Sequence, residues 1–195
     1  MRKPARVDKV LPLTLSRWAD FEKLFGAHGA SGGCWCMWWR ETAREYAAKK
    51  GEANRRAMKA LVRAGRVPGL IAYEGKQPVG WVSVAPREEF PRLATSRILK
   101  PVDDSPVWSV VCFFVARSHR GKGVGERLLR AAVEHVRSQG GKVVEGYAVE
   151  PAAGRSPDIF VYHGPAALYR GAGFKEVARR SKTRPIMRYS IRRGA

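Results

Sequence analysis

Apolar residues in this chain fall into two rhythms, near-continuous short runs and spacings of three to five. The run from Trp108 to Val115, WSVVCFFV, is almost unbroken and rich in β-branched and aromatic residues, which predicts a strand covered on both faces. From Val124, apolar side chains recur at Leu128, Leu129, Ala132, Val133 and Val136. Glu126, Arg127, Arg130, Glu134 and Arg137 take the other face, so an amphipathic helix is expected. Strand and helix are joined only by a tight basic turn, and the rest of the chain reads as elements arranged around this unit.

Ahead of it, Arg6 to Leu13 predicts a first strand, and Ser16 caps a helix whose apolar positions are Trp18, Phe21, Leu24 and Phe25. The segment GAHGASGG breaks that helix. Thr42 to Ala64 predicts helix interrupted near Gly51, with Met58, Leu61 and Val62 on its later apolar face. Gly69 to Tyr73 and Pro78 to Ala85 predict a hairpin around residues 74–77. Arg87 to Leu99 predicts one or two helical turns broken by Pro91, and residues 100–106 a polar loop. After the central helix, Lys142 to Val149 alternates into a strand whose polar members are Glu145 and Tyr147. Residues 150–162 predict a loop. A short helix with Pro165 in its first turn and Gly173 past its end follows, then strands over 175–180 and 185–192. The order is that of an α/β protein.

The turn Arg120-Gly-Lys-Gly-Val-Gly125 carries the most specific chemistry. Its glycines let the backbone bend and approach a ligand, and a helix start offers unpaired N–H groups at the positive end of the helix dipole. With Arg120 and Lys122 beside them, a phosphate is the expected ligand. A P-loop would need Lys followed by Ser or Thr after the last glycine, where Glu126 and Arg127 stand. The dinucleotide fingerprint needs a different glycine spacing and a place in a first βα unit.

The pattern that fits is R-x-x-G-x-G behind an apolar strand, and it resembles the coenzyme A pyrophosphate loop of the GNAT superfamily of N-acetyltransferases. A second motif supports the resemblance: Ala167-Leu-Tyr-Arg-Gly-Ala-Gly-Phe174 is similar to that family's A-x-x-x-Y-x-x-x-G-F signature in relaxed form, with Tyr169 in the tyrosine position. Two positions depart from the family pattern. Tyr162 stands where an asparagine is common, and Arg117 where a proline usually follows the central strand.

Composition narrows the picture. At 195 residues with 45% hydrophobic residues, the chain suits one domain over residues 1–195, with a helical, Trp-rich segment at 26–65 inside it. No run reaches membrane-spanning length and the N-terminus has no signal-type apolar stretch, so a cytoplasmic location is expected. The formal net charge of +20 would steer anions or hold nucleic acid. Because the basic residues are spread along the chain, the first reading is favoured and nucleic acid is a lesser alternative. Cys34, Cys36 and Cys112 give no disulfide framework. With His28, the first two would supply only three metal ligands, and no metal is expected.

The resemblance implies a mixed, twisted central sheet of six or seven strands flanked by helices, splayed between strand 108–115 and strand 142–149. It implies acetyl-coenzyme A as co-substrate. The main chain of Phe113 and Val115 would pair with the pantetheine arm, and Arg120, Gly121, Lys122, Gly123, Val124, Gly125 and Glu126 would wrap the pyrophosphate. A primary amine, of a small molecule or peptide, would attack the acetyl carbonyl directly, its oxyanion held by a backbone N–H. Tyr169 is the expected acid for the leaving thiolate. Glu145 is the preferred base, ahead of Asp103, Asp104 and His163. Trp35, Trp38 and Trp39 would wall the acceptor pocket or plug the core. The enzyme would act as a monomer or homodimer. A nucleic-acid-associated protein and a non-catalytic acyl-coenzyme A sensor are the alternatives.

Overall fold

A computed structural model describes residues 7–150 and 162–192. Seven strands form a single sheet in the order β1-β2-β3-β4-β5-β7-β6. They are β1 (Lys9–Pro12), β2 (Gly69–Glu74), β3 (Gln77–Pro86), β4 (Trp108–Val115), β5 (Val143–Tyr147), β6 (Lys175–Arg179) and β7 (Pro185–Ser190). Every neighbouring pair is antiparallel except β4 and β5, which run parallel. The expected first strand is shorter than 6–13, its Arg6 lying outside the described residues. Most of the expected loop, residues 151–161, lies outside them too.

The helices are α1 (Trp18–Phe25), α2 (Ala43–Ala48), α3 (Glu52–Arg63), α4 (Pro91–Thr95), α5 (Val124–Ser138) and α6 (Ala166–Gly171). The interruption expected near Gly51 separates α2 from α3. Thr42 caps α2 reciprocally with Glu45, which satisfies main-chain donors that a helix start leaves open.

Helix α5 buries Val124, Leu128, Leu129, Ala132, Val133 and Val136 against one face of the sheet, the face its apolar spacing predicts. On the other face α1 and α3 cover Ile71, Tyr73 and Trp81 with an aromatic layer of Phe21, Phe25 and Trp35. A third cluster on that face places Phe90, Leu93 and Leu99 over Val111, Tyr147 and Ile186.

Two irregularities in β4 govern the site. Ser83 pairs with Cys112 while Val84 pairs with Val110, so Val111 is a bulged residue with no partner across β3. Strand β4 then pairs with β5 only from Trp108–Val144 to Val110–Gly146, and beyond that point the two strands part.

Candidate active site

The open end of β4 leads through a 3-10 turn, Arg117–His119, into the glycine turn and α5. His119 fastens this corner, its ring bonded to Ser118 Oγ at 2.9 Å and to Glu74 Oε2 of β2 at 3.0 Å. Gly121 and Gly123 have φ of +70° and +82°, the left-handed region that side chains resist. No atom lies within 4 Å of where a Cβ on Gly123 would stand, so the backbone here faces open space. A groove of about 580 Å³ runs past it between β1 and the start of α5, lined by Lys9, Lys122, Gly123, Glu126, Arg127 and Arg130. Helix N–H groups, a bare glycine main chain and several cations suit this groove to phosphate.

Where β4 and β5 part, main-chain groups of β4 face a slot. Within it the Phe113 N–H donates to the Tyr162 carbonyl at 2.6 Å, and the Val115 carbonyl accepts from Arg120 Nε at 3.1 Å. Both main-chain positions expected to bind the cofactor arm therefore line the slot with partners from the chain itself. Tyr169 forms part of its floor. Its ring lies so close to Gly146 that a Cβ there would approach one ring carbon to 2.1 Å, and its hydroxyl donates to the His163 carbonyl at 2.8 Å. Burial pushes the Tyr169 phenol far up, so it stays neutral.

Glu145, the preferred base from sequence, stands differently. It is fully buried one residue before the strands part, paired in register with Ser109. Arg87 reaches its Oε1 at 3.0 Å, the Tyr147 hydroxyl donates to the same oxygen at 2.8 Å, and Arg188 Nε meets Oε2 at 2.8 Å. Arg188 also pairs with Asp103 at 2.6 Å, and that contact holds the Asp103 carboxyl down at about 2. Two carboxylates and two guanidiniums thus balance in one network. With both oxygens held by arginines, Glu145 is an anchor of β5 rather than a group poised to take a proton, and Asp103 is committed in the same way.

His163, one of the alternative bases expected from sequence, is placed differently. It is 1% exposed, and neither ring nitrogen has a hydrogen-bond partner among the described residues. Burial and the nearby Arg184 charge lower its pKa well below the ordinary imidazole value, which leaves it neutral with a lone pair available. The main chain of Val111 lies beside the ring and acts weakly the other way, without a hydrogen bond of ordinary geometry. Trp39 sits 5.2 Å from the ring and Tyr162 4.3 Å, centroid to centroid.

The three expected pocket tryptophans go to three places. Trp35, at φ +43°, is buried against Phe25 and Phe21 and belongs to the core, the second of its two expected places. Trp38 is 39% exposed, with the Arg92 guanidinium 3.9 Å from its ring centre. Only Trp39 reaches the slot. The adjoining cysteines gather with Cys112 of β4: the Cys36 and Cys112 sulfurs are 3.6 Å apart, Cys34 Sγ lies 3.4 Å from the Gly29 carbonyl, and the neighbouring Cys36 holds the Cys34 thiol down at about 6. Among the described residues no cluster of His, Cys, Asp and Glu is arranged to hold a metal ion.

Sequence reasoning named His163 only as an alternative and missed Arg184. Nothing in the run Ser181-Lys-Thr-Arg184 distinguishes that arginine from other surface cations.

A mixed sheet that parts between two parallel strands, beside a helix opened by glycines, defines an enzyme of the N-acetyltransferase class. The chain belongs to the acetyltransferase (GNAT) family, whose sequence model matches residues 35–156. Solved structures agree on the fold. A ribosomal-protein-alanine N-acetyltransferase from Brucella melitensis superposes with a TM-score of 0.54 at 22% identity, covering 94% of this chain and 99% of that one. A GNAT-family acetyltransferase from Listeria monocytogenes gives 0.56 at 9% identity, with 94% of each chain covered. A NatC complex bound to Gag peptide and CoA gives 0.53 at 13% identity, covering 94% of this chain and 98% of that one. No curated protein matches the sequence. Among the described residues no helix is long and apolar enough to cross a membrane.

Proposed function

We propose that this protein transfers an acetyl group from acetyl-coenzyme A to a primary amine. The observation that carries the reading is the parting of β4 from β5 after Val110 and Gly146, directly beside the glycine turn that opens α5. A thioester donor brings the activated acyl group; the chain supplies binding and proton handling. The groove at Lys122, Gly123 and Arg127 takes the phosphates, and the pantetheine arm enters the slot by exchanging with the Tyr162 carbonyl at Phe113. Amide-for-amide exchange of this kind leaves no main-chain donor buried without a partner.

His163 takes one proton from the ammonium, the neutral amine adds to the acetyl carbon, and as the C–S bond breaks Tyr169 protonates the departing thiolate and recovers the proton that the new amide nitrogen sheds. In this reading Glu145 positions β5 and does not touch the reacting atoms. The chain works as one domain, as monomer or homodimer, on a small-molecule or peptide amine. The cytoplasm, where thiols such as its three free cysteines stay reduced, is the proposed setting.

Calorimetric titration with acetyl-coenzyme A, for the wild type and for Gly123→Trp, tests the reading. Saturable binding that the variant loses, followed by amine-dependent thiol release, is expected. A folded wild type that does not bind would overturn it.

A further inference from the structure

Three polar side chains from separate parts of the chain, His163 buried and Trp39 and Arg184 half-buried, come together on one side of the slot with buried atoms that lack partners among the described residues. Trp39 comes from the loop after α1, His163 from the approach to α6, and Arg184 from the turn before β7. The Trp39 indole N–H, both His163 ring nitrogens and the Arg184 Nε are all buried, with no hydrogen bond among the described residues. The Tyr162 hydroxyl lies near Trp39 but falls short of hydrogen-bond geometry. Arg184 makes no ion pair among the described residues, yet its charge is close enough to act on His163, Tyr162 and Tyr169. Leaving a buried donor unpaired costs about 1–3 kcal/mol, and more for a charged group. Several orphans in one place therefore call for a ligand.

The chemistry of the orphans identifies that ligand. Trp Nε1 and Arg Nε only donate, and neutral His163 donates from one nitrogen and accepts at the other. This is a donor-rich site with one positive charge that no ion pair compensates among the described residues, the complement of a monoanion with several lone pairs. Arg92, the other cation of this side, is already spent on the Glu41 and Thr42 carbonyls and the Trp38 ring at the rim. A single half-buried cation balances the one charge of a carboxylate and leaves the second charge of a phosphate without a partner.

We infer that the acceptor is an amine bearing a carboxylate, with the carboxylate held by Arg184 and Trp39 and the amine directed to the free nitrogen of His163. The inference rests on the acetyltransferase reading for its amine and on the orphaned donors for its carboxylate. Arg184 is the specificity-determining residue: it selects the acid over its neutral analogues and takes no part in binding the thioester donor.

The test measures binding to coenzyme A-loaded protein and turnover with acetyl-coenzyme A. The panel pairs free acids with their carboxamides: alanine, glutamate, phenylalanine and 4-aminobutyrate, each against its amide. At least one free acid should bind about ten- to a hundredfold more tightly than its amide, the range of a hydrogen-bonded charge pair. Arg184→Gln should bring that ratio near one, Arg184→Lys should restore part of it, and affinity for coenzyme A should stay unchanged in both. Amides binding as well as acids, no member of the panel binding at all, or equal loss for acid and amide in Arg184→Gln would each overturn the inference. Discriminating binding without turnover would support the pocket and count against the acetyltransferase reading, so the two fail separately.

Discussion

Replacing Glu145 with Gln asks whether this carboxylate holds β5 or performs chemistry. It is fully buried, and the arginine side chains that grip it are only 13% and 11% exposed. The carboxamide is nearly the same shape, but its NH2 must face either Arg87 or Arg188, donor against donor, and the two guanidiniums lose the charge between them. Breaking a buried pair from one side costs about 3–5 kcal/mol. The lower end applies because Arg188 keeps Asp103, while Arg87 keeps the Leu93 and Leu99 carbonyls and the Tyr147 hydroxyl. At about 2–4 °C per kcal/mol for a chain of this size, Tm should fall by roughly 6–12 °C. Thermal unfolding followed by circular dichroism reads this directly. Below the transition, kcat/KM should stay within about threefold of wild type, since an anchor that leaves β5 in place does not enter the chemistry. Loss of about 10²–10⁴ in kcat with an unchanged Tm is the signature of a general base, and that result would refute the assignment.

Three further expectations follow from single contacts. Gly146→Ala drives a methyl into the Tyr169 ring, so stability should drop by about 1–3 kcal/mol; a variant as stable as wild type in urea unfolding would show that the ring does not lie there. His163 has its pKa lowered well below 6.5, so kcat/KM should hold on acidification past the ordinary imidazole value and fall only as the ring is finally protonated. His163→Ala should abolish that acid limb, and a limb centred at 6.5 or above in the wild type would contradict the buried placement. The Cys34 thiol, held at about 6, should be alkylated by iodoacetamide at a rate that rises through pH 6 and levels off above pH 7. A rate still climbing at pH 8 would contradict the lowered thiol.

The central unit was legible because its signals are local. An apolar run, a glycine turn and a helical period fix β4, the turn and α5 within a few residues, and the two motifs carried the family. The site residues were less legible because their partners are distant in sequence. Alternation along β5 places Glu145 on the face away from α5, but Arg87 and Arg188, which decide its role, lie 58 and 43 positions away. The tryptophans fail for another reason. Ala30, Trp35 and Cys36 all take positive φ, so this loop has no period from which to read which side chain turns inward. Arg184 carries no pattern at all, and only its buried Nε, without a partner among the described residues, marks it.

Why the sheet opens where it does follows from the pairing on either side of the gap. Strand β4 keeps register with β3 as far as Val115–Gly80, and β5 keeps register with β7 through Tyr147–Ile186. The bulge at Val111 sharpens the twist of β4 one residue past its last contact with β5, so each strand follows its other neighbour and the two diverge. The Arg87, Glu145 and Arg188 network ties β5 to the chain before α4 and to β7, which resists closure of the gap. Divergence leaves main-chain groups of β4 facing a cleft, and buried groups of that kind require partners. Tyr162 supplies one at Phe113 in the free chain. A ligand with amide groups along its length can supply the same bond, so the strand main chain selects for such an arm while its side chains stay apolar and remain part of the core.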